Sequence, residues 1–340
     1  MKKISNSLEY AAPSWLPGGN AQTIYPYLFK PKRLINYRRE RWELNDGDFI
    51  DIDWMDGREN KPLVVFFHGL EGDSYSHYVL SMMSALKKLG WHGAVMHFRG
   101  CSGEPNRLQR AYHAGDSEEI NWMLHRIHQQ CKLADTSQPL FTVGVSLGGN
   151  ALLKWLGEQG DNAHQIVSAA ATISVPLDLA AAGAALDSGF NKCYTRHFLG
   201  TLKQKALQKL EQFPGLFDKK AITNCRTIYQ FDNLVTAPLH GFRNTDEYWQ
   251  KSSSKPWLKH IQVPTLVINA RNDPFMPATA LPTQGEVSPA VTLDFPTEGG
   301  HAGFIQESFP GKLTWLPERI LSFFKVAQND EQAHRCQLPS

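Results

Sequence analysis

Cysteine is scarce and scattered. Five residues, Cys101, Cys131, Cys193, Cys225 and Cys336, stand in a chain of 340, with no C-x-x-C pair among them. That odd, dispersed set excludes a disulfide framework and a cysteine-based zinc site, and it points to reduced thiols in the cytoplasm. Net charge is nearly absent: 35 Lys and Arg against 33 Asp and Glu leave +2. So small a surplus provides no global field for holding nucleic acid or an anionic membrane. No apolar run of signal-peptide length follows Lys2 and Lys3, which argues against a secretory leader. The most apolar long stretch, Ile166 to Leu186, is interrupted by Pro176 and Asp178 and reads as a buried strand and turn, not a membrane span. Internal repeats, low-complexity tracts, metal-ligand spacings and a dinucleotide-binding G-x-G-x-x-G are also lacking. No metal and no cofactor is therefore expected.

What is present is the composition of an ordinary globular protein: 42% hydrophobic, 20% charged and 11% aromatic residues. A chain this long can bury a sizeable core without staples. A single domain over 1–340 is expected. Residues 1–38 are aromatic and turn-rich, and read as an extended strap over the core. Trp42 to Trp54 reads as a hairpin around Asn45-Asp46-Gly47-Asp48. Short apolar strands then alternate with helical segments. The strands are Pro62–Phe67, Trp91–Phe98, Leu140–Val145, Ile166–Val175, Val263–Ala270 and Val291–Phe295. The helices are Tyr78–Leu89, Asp116–Gln130, Leu147–Glu158 and a closing Leu313–Val326. This alternation predicts an α/β fold: a mostly parallel central sheet flanked by helices. The stretch 177–262 far exceeds the dozen or so residues a parallel crossover needs. With Leu199, Leu202, Ala206, Leu210 and Phe213 at helical spacing, it reads as an inserted helical cap. Residues 328–340 read as a polar, frayed tail.

Three segments carry chemistry. Gly144-Val145-Ser146-Leu147-Gly148 matches G-x-S-x-G and lies between a strand and a helix, the setting in which this motif exposes a nucleophilic serine. The helix that follows points its positive end at developing negative charge. Ser146 is the candidate nucleophile, and the N–H of Leu147 a candidate oxyanion donor. His68-Gly69-Leu70-Glu71-Gly72 ends an earlier strand, where the second oxyanion donor is expected, so Leu70 N–H is the other candidate. His68 itself reads as a structural histidine that fixes this loop. A serine hydroxyl needs a base to take its proton. His301, in Gly299-Gly300-His301-Ala302-Gly303, follows the last strand and is the candidate. His240, His260 and His334 lack such a setting. Asp273, in Arg271-Asn272-Asp273-Pro274, follows its own strand and lies between nucleophile and base in chain order. It is the candidate acid, with Asp178 as runner-up. Phe98-Arg99-Gly100-Cys101-Ser102-Gly103 follows a strand and could line the site, but reads first as a structural turn with Arg99 paired to a carboxylate. The basic stretch Lys30, Lys32, Arg33, Arg38, Arg39 and Arg41 reads first as a solvated face, and second as a contact for anionic membrane.

Together these pieces resemble the YheT-like esterases, a branch of the alpha/beta-hydrolase superfamily, over roughly residues 12–325. The elbow around Ser146 is common to the superfamily. Pro13-Ser14-Trp15-Leu16-Pro17-Gly18-Gly19-Asn20-Ala21-Gln22-Thr23-Ile24 and the Phe98–Gly103 segment narrow the resemblance to the branch. It implies an alpha/beta-hydrolase fold and a serine carboxylesterase acting on a small-molecule ester of short or medium acyl chain. It carries the triad onto Ser146, Asp273 and His301. Acyl transfer or thioester hydrolysis could use the same triad, and a non-catalytic ligand-binding member is a further alternative. Membrane-anchored relatives exist in this branch. The lack of a membrane segment here departs from them and favours the cytoplasm.

Overall fold

The computed structural model describes residues 9–29, 35–133 and 138–335, with side chains described as far as residue 330. The chain enters through a helix, α1 (Gly19–Leu28). A hairpin follows, β1 (Arg38–Glu43) and β2 (Phe49–Met55), in the register Glu43 opposite Phe49 and Arg38 opposite Trp54. Next come β3 (Leu63–Phe67), α2 (His77–Leu89), β4 (His92–Met96), α3 (Ser117–Leu133), β5 (Leu140–Val145), α4 (Leu147–Gln159) and β6 (Ala169–Ile173). After β6 the chain leaves the sheet in a run of helices: α5 (Leu179–Leu186), α6 (Lys192–Gln212), α7 (Lys219–Asn224), α8 (Ile228–Phe231), α9 (Ala237–Leu239) and α10 (Thr245–Ser252). It returns through β7 (Thr265–Ile268) and β8 (Val291–Asp294) and ends in α11 (Trp315–Arg335).

The described residues form an eight-stranded sheet in the order β1-β2-β4-β3-β5-β6-β7-β8. β1, β2 and β4 pair antiparallel, and the pairs from β4 through β3 to β8 are all parallel. Every residue of β3, β5 and β6 is buried. That is why these strands read as unbroken apolar runs: helices cover both faces. One face packs Ile120, Met123 and Ile127 of α3 with Leu152 and Trp155 of α4. The other packs Val79, Met83 and Leu86 of α2 with Ile320 and Phe324 of α11. α2 stops at Gly90, whose φ of 68° gives a left-handed end. The chain order reverses between β3 and β5. A crevice therefore opens beyond their carboxyl ends, where doubly wound sheets bind ligands.

Two expectations are corrected. Residues Gly19–Leu28 are helical, not extended. Flanking Pro and Gly hide this in the sequence, while tertiary contacts to buried Gln22 and Thr23 hold the helix in place. α11 continues to Arg335, past the expected end near Val326. Polarity beyond Val326 marks exposure, not a helix stop, and no Gly or Pro occurs there before Pro339. Residues 336–340 lie outside the described residues, as do Lys30, Lys32 and Arg33 of the basic stretch. Its other members sit on β1 and are neutralised. Arg39 and Arg41 grip the buried Asp53 and Asp51 at 2.7 and 2.8 Å, and Arg38 approaches Glu40 and Asp56.

Arg99 is paired as expected. Its buried guanidinium lies 2.5 Å from Glu119, 2.8 Å from Asp46 and 3.0 Å from Asp48. Arg99→Met would leave the carboxylates of Asp48 and Glu119 buried without their cation. Urea unfolding should show a loss of about 3–5 kcal/mol.

Candidate active site

Ser146 is where β5 turns into α4. It alone is not buried between Leu140 and Leu153. Its backbone sits at φ 51°, ψ −121°, an arrangement that costs a non-glycine residue about 1–3 kcal/mol. Two hydrogen bonds hold it there: Ser146 N–H donates to Ile173 O at 2.9 Å, and Asn150 N–H to Ser146 O at 3.0 Å. The turn closes because Gly148 has no side chain. A Cβ there would lie 2.4 Å from the carbonyl oxygen of His68. The elbow and the loop after β3 are thus pressed backbone to backbone.

That second loop is held residue by residue. Fully buried His68 donates Nδ1–H to Gly69 O at 2.8 Å and accepts from Phe98 N–H at 3.2 Å on Nε2. The pairing requires a neutral ring, and burial depresses its pKa to about 3. His68 is therefore structural, as read from the sequence. Gly69 N–H donates to Tyr78 Oη at 3.1 Å and Glu71 N–H to Tyr112 Oη at 3.0 Å. Between them, Leu70 N–H has no protein acceptor among the described residues. Glu71 is left-handed, with φ 54°. Leu147 N–H is the first of α4, and the first N–H groups of a helix lack intrahelical partners.

The third loop carries His301. Its Nδ1 lies 2.9 Å from Asp273 Oδ2 and 3.2 Å from Oδ1. Asp273 is fully buried, and its Oδ1 also accepts from Phe275 N–H at 2.8 Å. An ionised carboxylate only accepts, so Nδ1 carries the proton and Nε2 is left as the basic nitrogen. The Phe275 ring lies 4.1 Å from the imidazole, centre to centre. The runner-up acid is used elsewhere: Asp178 caps α5 by accepting from Ala181 N–H. His260 is exposed, and the side chain of His334 lies outside the described residues.

Residues not singled out from the sequence hold this loop. Gln22 Oε1 accepts from Gly299 N–H and from Asn272 Nδ2, both at 2.9 Å. Asn272 Oδ1 accepts from Gly300 N–H at 3.0 Å, and Thr23 Oγ1 from His301 N–H at 2.8 Å. Ser174 Oγ accepts from Ala302 N–H at 2.9 Å, and His77 Nε2 lies 2.9 Å from Ala302 O. α1 approaches so closely that a Cβ on Gly303 would lie 2.0 Å from Gln22 O. Gln22 and Thr23 belong to the sequence segment that narrowed the resemblance. Nothing local in the chain linked them to a loop nearly three hundred residues away.

Ser146, Leu147, Leu70 and His301 line one cavity of about 490 Å³. Its apolar lining includes Leu179, Leu186, Leu202, Ile228, Phe231 and Val235. Its polar lining includes Glu71, Asn106, Lys205 and Lys209. α6 of the 177–262 excursion supplies both lysines. His113 and His240 lie in the wall 4.4 Å apart, centre to centre, and burial depresses both to about 3.

Gln22→Leu would leave Gly299 N–H and Asn272 Nδ2 unpaired in a buried site. Chemical denaturation should show about 1–3 kcal/mol lost for each orphaned donor. The histidine pair links stability to pH. Below about 6.5 the unfolded chain binds protons that the folded wall refuses, so stability is complete above that value and falls as pH drops toward about 3. Each such group contributes up to about 1.4 kcal/mol per pH unit. His240→Leu should flatten the pH dependence of the urea-unfolding free energy over that window.

The alpha/beta hydrolase fold family model matches residues 62–308 of this chain. YheT of Escherichia coli (strain K12) is 37% identical over 94% of this chain and 93% of its own length. Phospholipase ABHD3 of Homo sapiens is 29% identical over 94% of this chain and 78% of its own. Among solved structures, the Pyrococcus furiosus esterase Pf2001 superposes with a TM-score of 0.53 at 14% identity, covering 88% of this chain and 97% of that one. At that identity the likeness is one of fold.

Proposed function

The chain belongs to the alpha/beta-hydrolase family and is a hydrolase of its esterase and lipase class, and from that premise we propose that it is a serine carboxylesterase for esters of short to medium acyl chain. Ser146 is the nucleophile, His301 the base, Asp273 the acid that orients it, and the N–H groups of Leu70 and Leu147 form the oxyanion hole. The observation that carries this reading is the convergence of Ser146 and His301 on one cavity, with buried Asp273 on His301 Nδ1. Residues 177–262 are the cap that closes the cavity, and the described part of the N-terminal strap, residues 9–29, braces the base loop.

In this mechanism Ser146 Oγ attacks the ester carbonyl carbon while His301 Nε2 takes its proton. Charge builds on the carbonyl oxygen, and the two amides stabilise it without reorganising, since the loops already fix them. Asp273 stabilises the imidazolium, which then protonates the departing alcohol. Water repeats the sequence on the acyl-enzyme and frees the acid. The apolar lining suits the acyl chain, and Glu71, Lys205 and Lys209 suit a polar alcohol portion. The scattered free cysteines support a cytoplasmic setting. Among the described residues, no helix is long and apolar enough to cross a membrane.

A p-nitrophenyl ester series from acetate upward, run on wild type and Ser146→Ala, tests the reading. Wild type should hydrolyse the series with an optimum at short or medium chains. The variant should lose at least about 10⁴-fold in turnover and should no longer react with a fluorophosphonate. Undiminished turnover by folded Ser146→Ala would refute the assignment.

A further inference from the structure

The loop that presents Leu70 N–H is tied to the helical excursion by a single ion pair. Lys205, on α6, lies 2.9 Å from both carboxylate oxygens of Glu71. Glu71 is the residue directly after Leu70, and its left-handed backbone sets the direction of the chain leaving the proposed oxyanion donor. Tyr112 holds Glu71 at two points: it accepts from Glu71 N–H at 3.0 Å and donates its hydroxyl to Glu71 Oε1 at 2.7 Å. The Tyr112 ring is in turn stacked on Phe98, which packs edge-on against His68. The core side of the loop is therefore rigidly backed. Its cavity side has one charged partner, Lys205, and that partner comes from an element 134 residues away.

Exposure separates the two members. The Glu71 side chain is 8% exposed and that of Lys205 38%. The carboxylate belongs to the packed wall, while the ammonium reaches it from a helix whose other residues, Leu202, Ala206 and Lys209, line the same cavity. Both members line the cavity that holds Ser146 and His301. Where α6 sits therefore decides whether Glu71 keeps its charged contact.

We infer that Glu71 and Lys205 are positioning residues: the ion pair makes seating of α6 over the cavity the condition for correct aim of the Leu70 oxyanion donor. This rests on the serine-esterase reading of the same site. With α6 seated, Lys205 holds the carboxylate, Tyr112 holds Glu71 at both ends, and Leu70 N–H points into the cavity. With α6 lifted, the left-handed Glu71 loses one restraint and the donor loses its aim. Hydrolysis is thereby coupled to closure, since the binding site and the oxyanion hole share one contact. The coupling acts on the transition state, where the oxyanion exists, and not on the neutral ester.

Lys205→Met, Lys205→Arg and Glu71→Gln test this beside wild type and Ser146→Ala, with three readouts. These are kcat and KM on a p-nitrophenyl ester, inhibition by a trifluoromethyl ketone, and amide hydrogen exchange over residues 69–73. The ketone adds Ser146 Oγ to its carbonyl carbon, passes the hydroxyl proton to His301, and leaves an oxyanion where the transition state has one. Lys205→Met and Glu71→Gln should each lower kcat about tenfold with KM nearly unchanged, and weaken the ketone by the same factor. Exchange at 69–73 should quicken, and Lys205→Arg should restore most of the kcat. Should Glu71→Gln fail to fold, the part-exposed Lys205 variants carry the test alone. Unchanged kcat, ketone affinity and exchange in Lys205→Met overturn the inference, as does a rise in KM alone, which marks a substrate contact. If Ser146→Ala stays active, the serine reading itself fails and takes this inference with it.

Discussion

The constraint on which the site depends is the approach of two backbones at the carboxyl end of the sheet. β3 and β5 are parallel neighbours, and the loops that leave them meet where Gly148 passes within contact of the His68 carbonyl. No side chain fits between. That contact sets Ser146 beside Leu70, and it is maintained at the cost of a strained serine. Each of three converging loops carries a non-glycine residue with positive φ: Glu71, Ser146, and in the histidine loop both Ala302 and Phe304. Such residues persist only where surrounding structure over-determines them. Here the N–H groups of Glu71, Ser146 and Ala302 are held by hydrogen bonds to Tyr112 Oη, Ile173 O and Ser174 Oγ.

The histidine loop is built differently. Glycines make it pliable, and its shape is imposed by side chains from elsewhere. Gln22 and Thr23 of α1, Asn272 beside Asp273, and Ser174 after β6 together receive four consecutive N–H groups, from Gly299 to Ala302. A loop without regular structure thus satisfies its backbone as completely as a strand would. The first described helix is in this sense part of the mounting of His301. Its single buried glutamine spends its amide on Leu16, Glu298, Asn272 and Gly299.

The excursion between β6 and β7 is anchored through the elbow helix as well. Asn150 of α4 donates to Ala114 O and Ser252 O and accepts from Ser254 N–H, so the end of α10 is pinned one turn beyond Ser146. α6 carries apolar side chains and lysines into the same cavity, so apolar and charged groups line one space. An ester has the same division, an apolar acyl chain and a more polar alcohol joined at the reacting carbon.

The chain's own pattern determined the strand–helix alternation, the hairpin, the elbow at Ser146, and the chain order of the proposed nucleophile, acid and base. These are local matters: apolar runs of strand length, glycine at turns, and the residue types that follow each strand all lie within a few positions of one another. The structural roles of His68 and Arg99 were legible for the same reason. The α1 helix was not, because its Pro- and Gly-rich flanks imitate an extended strap, and its stability comes from contacts with residues 272 and 298–303. Nor could the sequence place Gln22 on the histidine loop, Tyr112 on Glu71, or Lys205 across from it. Those partnerships join residues separated by some 40 to 280 positions. Periodicity reports which face of an element is buried, but not what it is buried against. Only the packed sheet, with its order reversing between β3 and β5, brought those distant groups to one edge.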